Sequence, residues 1–476
     1  MTTTHQGINS TPRRTFPPAA PAPTYQTVAR SRAARWDWTT LVMVASVAAA
    51  VALFLSDGGI NRFSSLAESM TSLGIMAGLI GTDLICIMLL LAARVPVVDR
   101  TMGHDRALKL HSSLGKPVLY LLVLHGILLT FGYAATDGTN FVSETLTLFT
   151  TIADMPLAYL GLGLLIVVAI SSVVAVRRRV PYEVWQGIHL LTYAGTAASI
   201  PHQFSTGGLF LPGTPQRWYW LALYTLTASA LLVFRFLVPL IQSLRHRVRV
   251  SSVRSEGPRV FSISMTGKNL AGLEARSGQF FTWRFLARGQ WWHAHPLSLS
   301  SAPDGNTLRV TVKIAGKGTE QLASVRPGTA VYFEGPYGMF TEQARPHKKV
   351  LLIGSGSGMA PIRSLLEGLT FAPGDATVVL RASKTADLLH EEEIEDLCLK
   401  RGAVLHYASG PRHRSVPSWL PAHAVEQGTT LASFAPDRAR TDLYICGPAL
   451  WNDLVTEEAL REGFQAGSIH QERFNL

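Results

Sequence analysis

Six apolar stretches, at residues 39–56, 71–93, 113–134, 157–176, 184–204 and 218–243, fill most of the first half of this 476-residue chain. Each approaches the ~20 residues a helix needs to cross ~30 Å of hydrocarbon. In lipid every backbone polar group must be satisfied internally, so this half is expected to fold as a bundle of six transmembrane helices. The fifth stretch is the weakest, because it carries Gln186, His189 and His202. The spans also account for the composition: 16% of residues are charged, against ~25% in ordinary soluble proteins.

The chain nonetheless carries a net charge of +11, and its placement decides between partners. Residues 1–36 are rich in Thr, Ala and Pro and include Arg13, Arg14, Arg30, Arg32 and Arg35 without an acidic residue. They read as a disordered basic tail. No secretory-type apolar run precedes Leu41. Further basic residues follow the second span (Arg94, Arg100, Arg106, Lys109), the fourth (Arg177, Arg178, Arg179) and the sixth (Arg245, Arg247, Arg249). The opposite loops hold Asp137, Glu144 and Asp154. Positive loops stay cytoplasmic, so a multi-pass protein of the cell membrane with both termini inside is expected. The arginines serve topology and lipid headgroups rather than nucleic acid.

Beyond residue 245 the pattern changes. Arg249–Val253, Phe280–Phe285 and Leu308–Val312 alternate like strands. From about residue 348 the order becomes strand, glycine turn, helix, strand, a βαβ signature. The expected division is a tail (1–36), a six-span domain (37–244), an antiparallel β-barrel domain (245–346) and an α/β parallel-sheet domain (347–476). Three cysteines, Cys86, Cys398 and Cys446, exclude a disulfide scaffold and any cluster needing four thiolates from this chain.

Four histidines mark the spans: His111 and His125 on the third, His189 and His202 on the fifth. One buried histidine is ordinarily a hydrogen-bonding residue between helices; two pairs at matching depth suggest cofactor ligation. A separation of 14 residues gives ~21 Å of rise and nearly four full turns, so His111 and His125 share a face. The 13 residues between His189 and His202 match that depth but rotate the second ring by ~140° on a regular helix. Pro201 breaks the local ladder, and an irregular helix there is expected.

Three motifs follow in order. His295-Pro296-Leu297-Ser298 ends in hydroxyl residues that suit a flat heteroaromatic ring, although a plain serine-rich strand end looks the same. In Gly354-Ser-Gly356-Ser-Gly358-Met-Ala-Pro361 a buried strand runs through glycines into a helix, which lets backbone amides approach a pyrophosphate. Arg381, Ser383 and Lys384 follow the next strand, where a 2′-phosphate would favour NADPH over NADH; a solvated loop fits the same residues equally well.

The stretches His111-Ser-Ser-Leu-Gly-Lys-Pro through His125 and Arg177-Arg-Arg-Val-Pro-Tyr-Glu-Val-Trp-Gln-Gly-Ile-His189 through His202 resemble the ferric reductase and NADPH oxidase superfamily of membrane flavocytochromes b. The resemblance extends through the flavin motif, with Leu297 in place of phenylalanine, and through a ferredoxin–NADP reductase type of nicotinamide motif. It implies two b-type haems, the inner held by His111 and His189 and the outer by His125 and His202. It also implies FAD on His295, Pro296, Leu297 and Ser298, with Lys313, Gly318 and Thr319 at the pyrophosphate. NADPH or NADH is implied on Gly354, Gly356, Gly358, Pro361, Arg381, Ser383 and Lys384, with Cys446-Gly447-Pro448 near the nicotinamide. It further implies Glu472 and Phe474 at the flavin face. The expected activity is electron transfer from cytoplasmic NAD(P)H through FAD and haem to an outer acceptor: ferric chelates first, with oxygen (giving superoxide) or a quinone as alternatives. A six-span transporter or channel with a reductase-like regulatory domain is the reading from a different class.

Overall fold

Apolar sequence with no external hydrogen-bond partner settles as helix, and among the described residues the first half of the chain has helices and no strands. The computed structural model describes residues 25–173, 179–206, 208–413 and 415–474. Its membrane half comprises α1 (Tyr25–Ser56), α2 (Leu66–Ala92), α3 (Pro96–Met102), α4 (His104–Asp137), α5 (Phe141–Thr151), α6 (Met155–Ser172), α7 (Tyr182–Ala198), α8 (Ile200–Ser205), α9 (Pro215–Ala230) and α10 (Val238–His246). A π-helical turn, Leu231–Leu237, joins α9 to α10.

Two expectations are corrected here. Among the described residues five helices are long and apolar enough to cross a membrane, namely Trp38–Ser56, Leu66–Ala92, Arg106–Asp137, Met155–Ser172 and Pro215–His246. The fifth expected span, 184–204, is instead a 17-residue helix, α7, followed by the six-residue α8. Its polar residues lower the hydropathy, and Pro201 lacks the N–H that would continue the ladder. The helix irregularity expected at Pro201 is therefore present. The tail also becomes regular earlier than expected. α1 begins at Tyr25, because Val28–Arg35 is rich in alanine and arginine, both good helix formers. Arg13, Arg14, Arg177 and Arg178 lie outside the described residues.

Glycines set how closely the helices approach. A Cβ at Gly78 of α2 would lie 2.5 Å from His125 Nδ1 of α4. A Cβ at Gly161 of α6 would lie 2.7 Å from the Gly195 carbonyl of α7. Small residues at such crossings are how membrane helices gain packing where lipid supplies no hydrophobic drive.

The second region contains β1 (Arg249–Gly257), β2 (Val260–Thr266), β3 (Phe280–Phe285), β4 (His295–Ser298), β5 (Thr307–Lys313), helix α11 (Lys317–Leu322) and β6 (Val331–Tyr337). Where an antiparallel β-barrel was expected, the strands form two three-stranded antiparallel sheets, β1-β2-β5 and β4-β3-β6. Isolated bridges Arg249↔Ala330 and Leu299↔Val310 join them edge to edge. Phe281, Trp283, Phe285 and Phe333 fill the space between the sheets.

The third region is a parallel five-stranded sheet of order β11-β10-β7-β8-β9, from β7 (Lys349–Ser355), β8 (Ala376–Ala382), β9 (Val404–Ser409), β10 (Thr441–Pro448) and β11 (Ile469–Phe474). Hydrophobic clusters cover both faces, as parallel sheets require. Helices α12 (Met359–Gly368), α13 (Glu391–Arg401) and α14 (Ala449–Arg461) belong to this layer.

Candidate functional site

The four histidines form two pairs across helices. His111 Nδ1 lies 3.0 Å from the Met88 carbonyl and His125 Nδ1 lies 2.9 Å from the Gly74 carbonyl. A carbonyl only accepts, so each Nδ1 carries the proton and each Nε2 keeps its lone pair for a metal. The rings of His111 and His189 have centroids 6.1 Å apart, and those of His125 and His202 are 6.4 Å apart. Two imidazoles sharing one metal at about 2.0 Å from each nitrogen have centroids about 6.3 Å apart, allowing for the ring radius. Both pairs therefore stand at the spacing a bis-imidazole iron demands. The helix break at Ser199 supplies the turn that a regular helix lacked, and it brings His202 to face His125.

Beside the second pair lies a cavity of about 430 Å³ walled by Gly78, Leu79, Tyr133, Leu148, Tyr159 and His202, among others. α5 contributes Leu148 to that wall and carries Glu144, which is 3% exposed and accepts from Thr139 Oγ1 at 3.0 Å. The sequence pattern treated this stretch as a loop. Its signal was local: Asn140 caps the helix by accepting from the Ser143 N–H.

The flavin-motif residues meet α7 of the helical half. A cavity of about 320 Å³ is lined by His295, Gly316, Gly318 and Thr319 together with Glu183 and Gln186 of α7. A Cβ at Gly316 would meet nothing within 4 Å, so the backbone there is open to a ligand. His295 Nε2 is buried without a hydrogen-bond partner, and burial, followed by His293 and Arg284, pushes the imidazole down to about 4. A buried, unsatisfied ring nitrogen facing an open glycine turn at a helix start fits a diphosphate.

A second convergence joins the β region and the α/β region. Ser298 Oγ donates to Glu472 Oε1 at 2.7 Å, and Cys446 sits beside Glu472 in the parallel register of β10 and β11. Burial, then Glu472, pushes the Cys446 thiol well up, so it is a neutral thiol at neutral pH. Gly358 is required by close approach, since a Cβ there would overlap the Cys446 carbonyl. Gly356 has φ +56 and open space around it, as a turn receiving a phosphate needs. Pro361 lies in the first turn of α12, where its missing N–H is harmless. Flavin motif, glycine turn, Cys446-Gly447-Pro448 and Glu472 thus surround one junction.

Other expected residues fall elsewhere. Arg381 is 2% exposed; it donates from Nε to the Trp419 carbonyl at 3.0 Å and also to the Ala382 carbonyl. It braces the C-terminal end of β8 against the Trp419 segment, while Ser383 and Lys384 are exposed. Lys313 ends β5 on the surface and is outside the lining of the His295 cavity. Pro296 and Leu297 pair with Thr282 and Phe281 on β3. The Phe474 side chain lies outside the described residues.

Two charge networks had no sequence signal, because their members are distant in the chain. Glu334 of β6, 4% exposed, is shared by Arg235 of the π-helical turn at 2.7 Å, Arg94 after α2 at 3.6 Å and Arg284 of β3 at 3.9 Å. Arg94 also lies over the Tyr337 ring at 4.3 Å. This network bolts the β region to the membrane bundle. Glu393 of α13 accepts from both Arg309 of β5 and Arg363 of α12, and Arg363 also reaches the Ser300 carbonyl at 3.0 Å. The His390 ring, Arg309 and Arg363 hold Glu393 well below the usual carboxylate range. This second network ties the β region to the α/β region.

Comparison with known families follows the same division. A ferric reductase like transmembrane component matches residues 77–200, an FAD-binding domain matches 245–341 and an oxidoreductase NAD-binding domain matches 352–455. Domain for domain, these matches are those of the ferric reductase and NADPH oxidase superfamily. Among its relatives, Ferredoxin--NADP reductase B of Sorangium cellulosum is 29% identical over 50% of this chain and 100% of its own length. The ferredoxin--NAD(+) reductase component of the alkene monooxygenase system of Xanthobacter autotrophicus is 29% identical over 41% of this chain and 61% of its own. Dual oxidase 1 of Rattus norvegicus is 29% identical over 29% of this chain and spans 10% of that protein. The chain is a membrane oxidoreductase with FAD- and NAD(P)-binding domains.

Proposed function

We propose that this oxidoreductase carries electrons from cytoplasmic NAD(P)H, through FAD and two b-type haems, to an acceptor on the outer side of the cell membrane, with ferric chelates as that acceptor. The observation that carries the reading is the pair of cross-helix imidazole couples at 6.1 and 6.4 Å, one above the other on α4. When bound, NAD(P)H supplies two electrons as hydride, FAD divides them, and haem iron relays them singly. The chain's own part is to fix the stations. Met88 and Gly74 carbonyls set the tautomer of His111 and His125. Ser298, Glu472 and the Cys446 backbone define where flavin and nicotinamide meet, and Glu393 with its two arginines holds that meeting geometry. His125 and His202 would hold the outer haem, and α5, Tyr133 and Tyr159, which wall the cavity beside them, would stand between it and an outer acceptor.

The similarity to Dual oxidase 1 supports a second reading, delivery of electrons to oxygen. Purified protein tests the first claim: two haems per chain with a bis-histidine spectrum, falling to one in His111→Ala and in His125→Ala. Unchanged spectra in both variants would overturn it. Turnover with NADPH under argon, Fe(III)-chelate against a superoxide trap in air, then separates the acceptors.

A further inference from the structure

The β region carries an apolar loop that its own core does not use. Between β3 and β4, Leu286 is 52% exposed, Trp291 60% and Trp292 47%, and Arg288 is exposed with them. The two indoles pack edge to face at 5.4 Å. The loop is held from beneath, since the Gln290 amide donates to the Gln321 carbonyl at 2.8 Å and Arg284 donates to the Trp292 carbonyl at 2.8 Å. A surface that spends two tryptophans and a leucine on exposure in a braced loop has a partner.

Its position names the partner. His293 Nδ1 lies 3.1 Å from Glu183, in the first turn of α7, and Trp292 lines one cavity with Glu183 and Gln186. The loop therefore sits level with the N-terminal end of α7, which packs among the spans, and the next residue of α7, Val184, is itself 53% exposed. Tryptophan concentrates at the headgroup level of bilayers, with arginine reaching lipid phosphate. We infer that residues 286–293 are an interfacial anchor, inserting Trp291 and Leu286 into the cytoplasmic leaflet of the same bilayer that the helices cross, with Arg288 at the headgroups. The inference rests on the reading of those helices as membrane spans. It gives the β region a second attachment besides Glu334, so that the flavin-motif strand is held at the membrane surface from two sides.

All three native cysteines are buried, so a single introduced cysteine can be nitroxide-labelled in the full chain. The protein is reconstituted in phosphatidylcholine/phosphatidylglycerol vesicles, with its haem absorbance verifying the fold. Labels are placed by Trp291→Cys, by Leu226→Cys within a span (60% exposed) and by Leu399→Cys on α13 (86% exposed). Labels at 291 and 226 should collide with lipid-soluble oxygen several-fold more than with an aqueous nickel complex, and the label at 399 should show the reverse. If 291 tracks 399 while 226 tracks lipid, the anchor is refuted. If 226 also tracks 399, the membrane reading itself fails and the anchor with it. Should Trp291→Cys not fold, Leu286→Cys reports on the same depth by the same criterion.

Discussion

Replacing Gly78 by alanine tests the haem geometry at its tightest point. The added Cβ would stand 2.5 Å from His125 Nδ1, where ordinary contact begins at 3.4 Å, so the ring must retreat by roughly 0.9 Å. The same nitrogen makes its 2.9 Å bond to the Gly74 carbonyl, and a retreat of that size breaks it. Overpacking of this kind costs about 1–3 kcal/mol, a shift of about 5–150-fold against the liganded arrangement. Haem quantified as the pyridine complex should fall from two per chain toward one, with the His111–His189 site retained. Gly163→Ala is the control, since its Cβ meets nothing within 4 Å. Gly78→Ala with two haems of unchanged spectrum would refute the packing argument.

Three further outcomes follow from the polar networks. Glu334→Gln leaves three guanidiniums around a buried neutral amide, and breaking such a set costs about 3–5 kcal/mol; NADPH-driven haem reduction should slow while NADPH-driven reduction of a soluble dye persists. Glu393 is depressed in the folded state, so its contribution is present above the ordinary carboxylate range and lost as pH falls through the folded value. Hydrogen exchange at β5 and α12 should rise in acid, and Glu393→Gln should show that rise at neutral pH. His295, pushed down to about 4, destabilises the flavin-free protein as pH falls below about 6.5. A diphosphate beside it restores the proton, so FAD affinity should increase from pH 8 to pH 5.5 in titration calorimetry, and His295→Gln should flatten that slope.

What the sequence revealed here follows from how local each signal is. β3 appears in the structure at Phe280–Phe285, where the sequence reads as a strand, although Phe281, Thr282 and Trp283 are buried in a row instead of alternating. The histidine pairs were legible because helical rise converts spacing into depth, and Pro201 announced the break that aims His202. The fifth span was misjudged by its apolar average, which hides a terminated helix. Arg381 shows the opposite failure. Its place after β8 suits a nucleotide, yet its fate was set by the Trp419 carbonyl 38 residues away. Glu334, Glu393 and the His293–Glu183 contact join segments from different regions, and only the folded chain brings them together.

The central claim is that electrons cross the membrane through the two imidazole couples. Proteoliposomes loaded with Fe(III)-chelate and a ferrous indicator, given NADPH only outside, measure it directly. For the molecules whose reductase domains face outward, the account predicts internal Fe(II), an accompanying membrane potential, and loss of both in His125→Ala while external dye reduction continues. Internal iron left ferric by the wild-type protein, or reduced equally by His125→Ala, would contradict it.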